Sequence, residues 1–443
     1  HKLEFDSISS KTIFTKSNIN DSNLKLVKFN YNDTDLMNNS WAYGTVGQLL
    51  KVKQITGNRI ELDDSIHLSE AGKKQIYFSA FNPIIHASVE CLSIIRDDSA
   101  HGQASNILIE NAYMCRINAV ESYKTNFAHI SINNSSLCQI DRNYLHHSFG
   151  YGGGGQGYGI VLQQGSYKNL ITDNICKHLR HSFLLQSGAN HNIISYNYST
   201  DPFVTDNILQ DAGGDLVCHG NYPYKNLFEG NICQTAIIDN SHGKNGPFNT
   251  FFRNRLELYG IIVSANQDSQ NFIANEITNT NSFKGIFTLN GSGHFRANNA
   301  VRNIINDKNN YNYPNSMYAG SLPEFWNIPY RYWGIGYPFI YQFGSNPATK
   351  RYHDSLLLYP CDIPIQTSST QFFRDTLLMV YPNPAKSGEK LYFSKHVDKA
   401  ILYDYTGKII SIYNQIELIK LPDLSSGIYH ISIDSISFKL IIE

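Results

Sequence analysis

The sequence predicts an all-β protein: a right-handed parallel β-helix, or solenoid, followed by a small C-terminal β-sandwich. Three observations carry this. Asparagines flank short apolar runs at a near-constant period, no amphipathic helical stretch of useful length separates those runs, and the last part of the chain changes to alternating strands with tight turns.

The repeat is read from Asn169-Leu-Ile-Thr-Asp-Asn174, Asn192-Ile-Ile-Ser-Tyr-Asn197, Asn226-Leu-Phe-Glu-Gly-Asn231, Asn249-Thr-Phe-Phe-Arg-Asn254 and the shorter Asn271-Phe-Ile-Ala-Asn275, with Asn106-Ile-Leu-Ile-Glu-Asn111 as an earlier copy. Starts from Asn169 fall 23, 34, 23 and 22 residues apart. Each unit holds two or three β-branched or aromatic runs broken by Asn, Gly, Ser or Asp, which reads as one coil of short strands. Stacked coils bring the asparagines into register, where their amides can bond to one another and to turn backbone.

Composition bounds the function classes. In a chain of 443 residues, Lys plus Arg (36) nearly equals Asp plus Glu (37), so no global field draws the protein to nucleic acid or an anionic membrane. No run of 18 apolar residues is present, so no transmembrane segment is expected. The seven cysteines are too few and scattered for a disulfide scaffold and form no CxxC zinc spacing. All but Cys361 lie in the repeat region, where the simplest reading of a free Cys is a small buried hydrophobe.

Residues 1–306 are expected to form the β-helix with an N-terminal cap, including a hairpin over residues 46–63 that turns at Gly57-Asn58. Residues 307–345, rich in Tyr, Trp, Pro and Asn, read as a cap over the open end of the coils, because repeat arrays need their ends covered. Residues 346–376 read as a linker centred on Thr367 to Thr370. The repeat region resembles the pectate lyase-like right-handed β-helix superfamily over roughly residues 40–305. That resemblance implies an elongated shape, parallel sheets and a carbohydrate-handling surface.

The C-terminal module, residues 377–443, contains Tyr381-Pro-Asn-Pro384, then Asp404-Tyr-Thr-Gly-Lys408, then Leu424-Ser-Ser-Gly-Ile-Tyr429, and closes on Lys439-Leu-Ile-Ile442. These four ordered motifs resemble the type IX secretion C-terminal sorting domain of Bacteroidetes. The resemblance implies that residues 381–443 engage the type IX machinery and that the protein is secreted or attached to the outer-membrane surface.

Chemistry in a parallel β-helix must come from neighbouring coils, whose side chains stand about 4.8 Å apart. Three segments offer it. Leu145-His-His-Ser-Phe149 and His178-Leu-Arg-His-Ser-Phe183 are similar phrases on consecutive coils and can place His147 near His178 or His181, with Arg180 beside them. His and Arg together suit abstraction of a sugar C5 proton and neutralisation of a uronate carboxylate. Asp201, Asp206, Asp211, Asp215 and, a coil later, Asp239 are candidates for a hydrolytic carboxylate pair. Asp211-Ala-Gly-Gly-Asp215 alternatively offers oxygen ligands of the kind Ca²⁺ takes, although without EF-hand spacing. His219-Gly-Asn-Tyr-Pro-Tyr224 sits in the one long interval, and Asp239-Asn-Ser-His242 follows a coil later. For each segment the competing reading is structural: stacked side chains with satisfied hydrogen bonds, or aspartates capping turns. The glycine run Gly150-Tyr-Gly-Gly-Gly-Gly-Gln-Gly-Tyr-Gly159 lacks the Lys-Ser/Thr of a phosphate loop and reads as a flexible excursion or a lid.

The function these features point to is a secreted carbohydrate-active protein, a polysaccharide lyase or glycoside hydrolase acting on an extracellular polysaccharide. The alternative is a noncatalytic adhesin binding a surface glycan. A monomer is expected.

Overall fold

The computed structural model describes residues 2–19, 24–67, 75–99, 102–318, 334–340, 344–354, 358–359, 380–381, 385–404, 407–433 and 436–442. The chain divides into two compact units, residues 1–364 and 365–443.

The first unit is built around a right-handed parallel β-helix whose coils each contribute up to three short strands. One face, here face A, runs through Ile107–Glu110, Ala128–Asn133, Tyr158–Gln163, His181–Leu185 and Leu216–Cys218, and then through the ends of Ile232–Ile238 and Arg255–Val263 to Ile286–Leu289. Every pairing along this face is parallel. A second face carries the apolar cores of the asparagine repeats, with Leu170, Ile193, Leu227, Thr250 and Asn271 in one register column. A third carries Tyr144, Ile175, Tyr198 and Ile232 in another.

The asparagines do what their spacing requires. A residue in the left-handed region turns the chain, and the next residue points its amide inward: Arg142, Asp173, Tyr196, Gly230, Arg253, Ala274 and Asn298 have φ between 51 and 64° and precede Asn143, Asn174, Asn197, Asn231, Asn254, Asn275 and Asn299. Each of these amides donates to the carbonyl of the next, at 2.8 to 3.0 Å. A second ladder runs Asn169, Asn192, Asn226, Asn249, Gln270 at 2.9 to 3.0 Å. All these side chains are buried, so each bond satisfies a group that would otherwise cost stability. Asn271, Asn106 and Asn111 stand outside the ladders: Gln270 takes the place the repeat assigns to Asn271, while Asn106 bonds Ser122 and the Lys124 carbonyl. Between the ladders, Phe228, Phe251 and Phe272 stack in register inside the coil, with centroids 4.4 and 5.4 Å apart.

The described residues between 2 and 81 form more than the expected hairpin. Gly47–Thr56 and Arg59–Leu62 pair antiparallel, and they belong to a seven-stranded antiparallel sheet with its own core around Phe29, Phe78, Ile13 and Ile60. This module lies along the side of the solenoid. Tyr224 and Asn190 both donate to the Gly47 carbonyl, and the Asn38 and Asn39 amides donate to Asn221 Oδ1. Approach is close enough at Gly188 (φ 69°) that a Cβ would stand 2.5 Å from the Thr45 carbonyl oxygen.

Of the segment expected to cap the coils, residues 319–333 and 341–343 lie outside the described residues. Residues 347–353 of the expected linker form a helix capped by Asn346. Its Arg351 makes a buried ion pair with Asp173, while Asn346 donates to the Asn197 and Gly230 carbonyls. The rest of that segment, apart from residues 354 and 358–359, lies outside the described residues, including Thr367 to Thr370.

In the second unit, Val380–Tyr381, Lys390–Tyr403, Ile409–Lys420, Gly427–Ile433 and Ile436–Ile442 pair antiparallel as a small β-sandwich. Its core gathers Leu391, Val397, Leu402, Ile431, Ile433 and Leu440.

Candidate active site

Face A and its flanking turns assemble an unbroken row of rings. Tyr158 and His181 are register partners on adjacent coils, with centroids 5.3 Å apart. His219 follows at 5.7 Å from His181, His242 at 5.0 Å from His219, and Trp41 of the N-terminal module at 5.5 Å from His242. Trp41 is half exposed and forms the open end of the row.

The two central histidines are held differently. His181 Nδ1 lies 2.9 Å from the Gly214 carbonyl, which can only accept, so Nδ1 carries the proton and Nε2 presents a lone pair. Burial, then the charges of His219 and Arg180, push the His181 pKa down to about 3, which keeps the ring neutral. His219 Nδ1 instead donates to Asp239 Oδ2 at 2.7 Å. Burial pushes the Asp239 carboxyl upward, but the His219 bond and charge outweigh it and hold the group below the usual carboxylate range. No hydrogen bond to either Nε2 is made among the described residues, and each residue keeps 8% of its surface exposed.

Arg180 stands beside this pair. Its Nη1 donates to the Gly152 carbonyl at 2.7 Å and to Tyr158 Oη at 3.4 Å, and its guanidinium lies over the Tyr158 ring. Arg180 Nε is buried with no hydrogen-bond partner among the described residues. The glycine run is therefore a docked border of the site. Besides Gly152, its Gly157 carbonyl accepts from the Arg180 amide, and Asp206 accepts from the Gly153 amide. A Cβ at Gly152 would stand 2.9 Å from Asp206 Oδ1.

His147 and His178 form a second group at the turn leading into face A. Both have positive φ, their rings lie 5.0 Å apart, and His178 Nδ1 is 2.9 Å from Asp201 Oδ2. Burial, then the charge of His178, lowers the His147 pKa. No hydrogen bond, ion pair or ring contact among the described residues joins this pair to His181 or His219 directly. Tyr151 of the glycine run packs on His178 at 5.1 Å, one residue before the Gly152 carbonyl that meets Arg180.

The remaining aspartates are separately engaged. Asp215 is buried, accepting from Ser182, Ser199 and the amides of Gln234 and Thr235, and burial raises its pKa. Asp211 pairs with Lys284 at 2.6 Å and accepts from Tyr259 at 2.8 Å; modest burial pushes its carboxyl up, and these two partners outweigh it and lower the pKa. The two ends of the Asp211-Ala-Gly-Gly-Asp215 phrase thus occupy different environments. No group of three or more His, Cys, Asp or Glu is arranged to hold a metal ion among the described residues. The sequence singles out His181, Arg180, His219 and Asp239 but not Tyr158 or Trp41. Tyr158 sat inside the glycine run read as a loop, and Trp41 lies in a module with no repeat to flag it.

Residues 379–443 match the family model of the secretion system C-terminal sorting domain. The protein is a cargo of the type IX secretion system. It is accordingly exported, to be attached at the cell surface or released. No helix among the described residues is long and apolar enough to cross a membrane. No curated protein matches the chain. Among solved structures, the chain is similar to the tailspike protein gp49 from Pseudomonas phage LKA1, at 16% identity and TM-score 0.40, over 61% of this chain and 44% of that one. It is also similar to the tailspike gp61 of Pseudomonas phage phi297, at 13% identity and TM-score 0.29, over 66% and 61%. A third is the Gp54 tailspike of Acinetobacter baumannii bacteriophage AP22, solved in complex with A. baumannii capsular saccharide, at 10% identity and TM-score 0.30, over 68% and 56%. The matched region spans less than two thirds of each of these chains.

Proposed function

We propose that the exported protein is a polysaccharide lyase that cleaves a uronate-containing extracellular polysaccharide by β-elimination. The observation that carries this is the pair of adjacent imidazoles, His181 and His219, whose Nδ1 atoms are fixed by a carbonyl and by a carboxylate. Elimination needs a base for the proton on C5 and an acid for the oxygen leaving C4. His181, neutral with its lone pair on Nε2, supplies the base. His219, oriented by the bond from its Nδ1 to Asp239, supplies the proton to the leaving oxygen through Nε2. The C5–H electron pair becomes the C4=C5 double bond as the C4–O bond breaks.

Arg180 meets the third requirement, since removing the C5 proton places negative charge on the uronate carboxylate, and a fixed guanidinium stabilises that charge. Tyr158, whose oxygen accepts from Arg180, holds the guanidinium in place. Hydrolysis is less well supported. Asp201, Asp206, Asp211, Asp215 and Asp239 are each committed to a partner, so no two of these five face one another as the free carboxylate pair that hydrolysis requires. The experiment is to incubate the purified protein with a panel of neutral and acidic polysaccharides and read the ultraviolet absorbance of unsaturated uronates beside new reducing ends. Unsaturated ends are expected from an acidic polymer. Reducing ends alone would mean hydrolysis, and binding without product would mean a glycan-binding surface in which Trp41 and its neighbours serve as a stacking platform.

A further inference from the structure

We propose that Cys115 and Cys138 form a disulfide when the chain matures in an oxidising compartment. The argument starts from the asparagine ladder. Lys168 and His191 adopt φ of 54° and are followed by Asn169 and Asn192, whose side chains meet at 3.0 Å. Met114 (φ 55°) and Leu137 (φ 56°) make the same turn two coils and one coil earlier, and they are followed by Cys115 and Cys138. The ladder reaches these positions: the Cys138 amide donates to Asn169 Oδ1 at 2.9 Å. At its N-terminal end, therefore, two cysteines occupy the inward position at which neighbouring side chains converge.

The backbone register agrees. Arg116 pairs with Gln139, and the Gln139 amide donates to the Cys115 carbonyl at 2.9 Å, so the two cysteines stand opposite each other on adjacent coils. Parallel neighbours lie about 4.8 Å apart, inside the range of about 4.4 to 6.8 Å that a disulfide spans between Cα atoms. Both side chains are buried in the core of the first coils, where the Cys115 thiol meets the Ile84 and Tyr113 carbonyls and the Cys138 thiol the Ser136 carbonyl; the neighbouring Cys138 draws the Cys115 thiol down to about 6, which favours its reactive thiolate. The other buried cysteines have different register partners: Cys176 faces Ser199, Cys218 faces Leu185 and Ile238, and Cys233 faces Leu256.

The step balances as a thiol–disulfide exchange. The Cys115 thiolate attacks a protein disulfide of the envelope's oxidising machinery, and Cys138 then displaces that thiol. One S–S bond forms between Cys115 and Cys138, the oxidant's S–S bond breaks, and the two electrons and two protons of the thiols pass to the oxidant, which leaves as a dithiol. Export carries the chain through such a compartment.

The test is to produce the full chain in a bacterial periplasm, alkylate it under denaturing conditions without reductant, and map the labelled peptides by mass. Five of the seven cysteines are expected to be labelled, with one reducible link joining the peptides of Cys115 and Cys138. The Cys115→Ser variant should then label at all six remaining cysteines. Seven labelled cysteines in the parent chain, or a link between any other pair, would overturn the proposal.

Discussion

His181 and His219 are the same side chain given different work by what each Nδ1 touches. Replacing Asp239 with Asn keeps the shape of the site but removes the carboxylate that accepts from His219 Nδ1. Turnover is therefore expected to fall by about 10²-fold or more, the scale of a lost general acid, while near-UV circular dichroism stays unchanged. His181→Ala is expected to abolish release of unsaturated ends and leave polysaccharide binding within a few-fold. A variant that kept its turnover would remove His181 from the role of base. Arg180→Ala should raise KM and lower kcat together for acidic polymers, because the guanidinium meets the uronate in both the bound and the reacting state. These residues were legible as a concentration of His, Arg and Asp on neighbouring coils. Their grouping was not, because a one-residue register shift moves a side chain to the other face of a strand. The similar phrases around His147 and His178 point to one cluster, whereas the positive φ at both histidines sets them in a turn, apart from His181 on face A.

At the scale of the element, the asparagine ladder is the feature most readable from sequence, because its period is the period of the coil. Its breaks are instructive. Gln270 substitutes for an asparagine because its longer amide still reaches Asn249 Nδ2 at 3.0 Å, and no residue-type pattern would have flagged it. Asn231 accepts from Asn197 and donates to Asn254, and it also donates to the Ile194 carbonyl. Asn231→Ala would leave those buried groups unpaired, with an expected loss of about 1–3 kcal/mol, measurable as a lower urea midpoint with little change in slope. Asn106→Ala, at the partly exposed margin outside the ladders, should cost less. The seven-stranded N-terminal module was legible only at its Gly57-Asn58 hairpin, since its other strands are short and carry no repeat.

The whole molecule combines a solenoid, which supplies the row of rings, with a sorting domain whose motifs announced its destination. Buried histidines make the solenoid sensitive to acid. Burial first of all, together with neighbouring positive groups, pushes His129, His181 and His191 down to about 3, against an unfolded value near 6.5. Between those values the unfolded chain binds more protons than the folded one, so stability is full above about pH 6.5 and is lost as pH falls toward 3. Thermal melts from pH 8 to pH 4 should show Tm constant down to about 6.5 and falling below it. A Tm that rose on acidification would contradict the assignment of these rings as neutral.

The central claim, elimination by the His181–His219 pair, is tested most directly by following ultraviolet absorbance while the purified protein acts on a panel of uronate polysaccharides, with His181→Ala and Asp239→Asn run in parallel. The account predicts growing absorbance from unsaturated ends for at least one acidic polymer, lost in His181→Ala and strongly slowed in Asp239→Asn. Reducing ends without that absorbance, or equal rates in all three proteins, would contradict it.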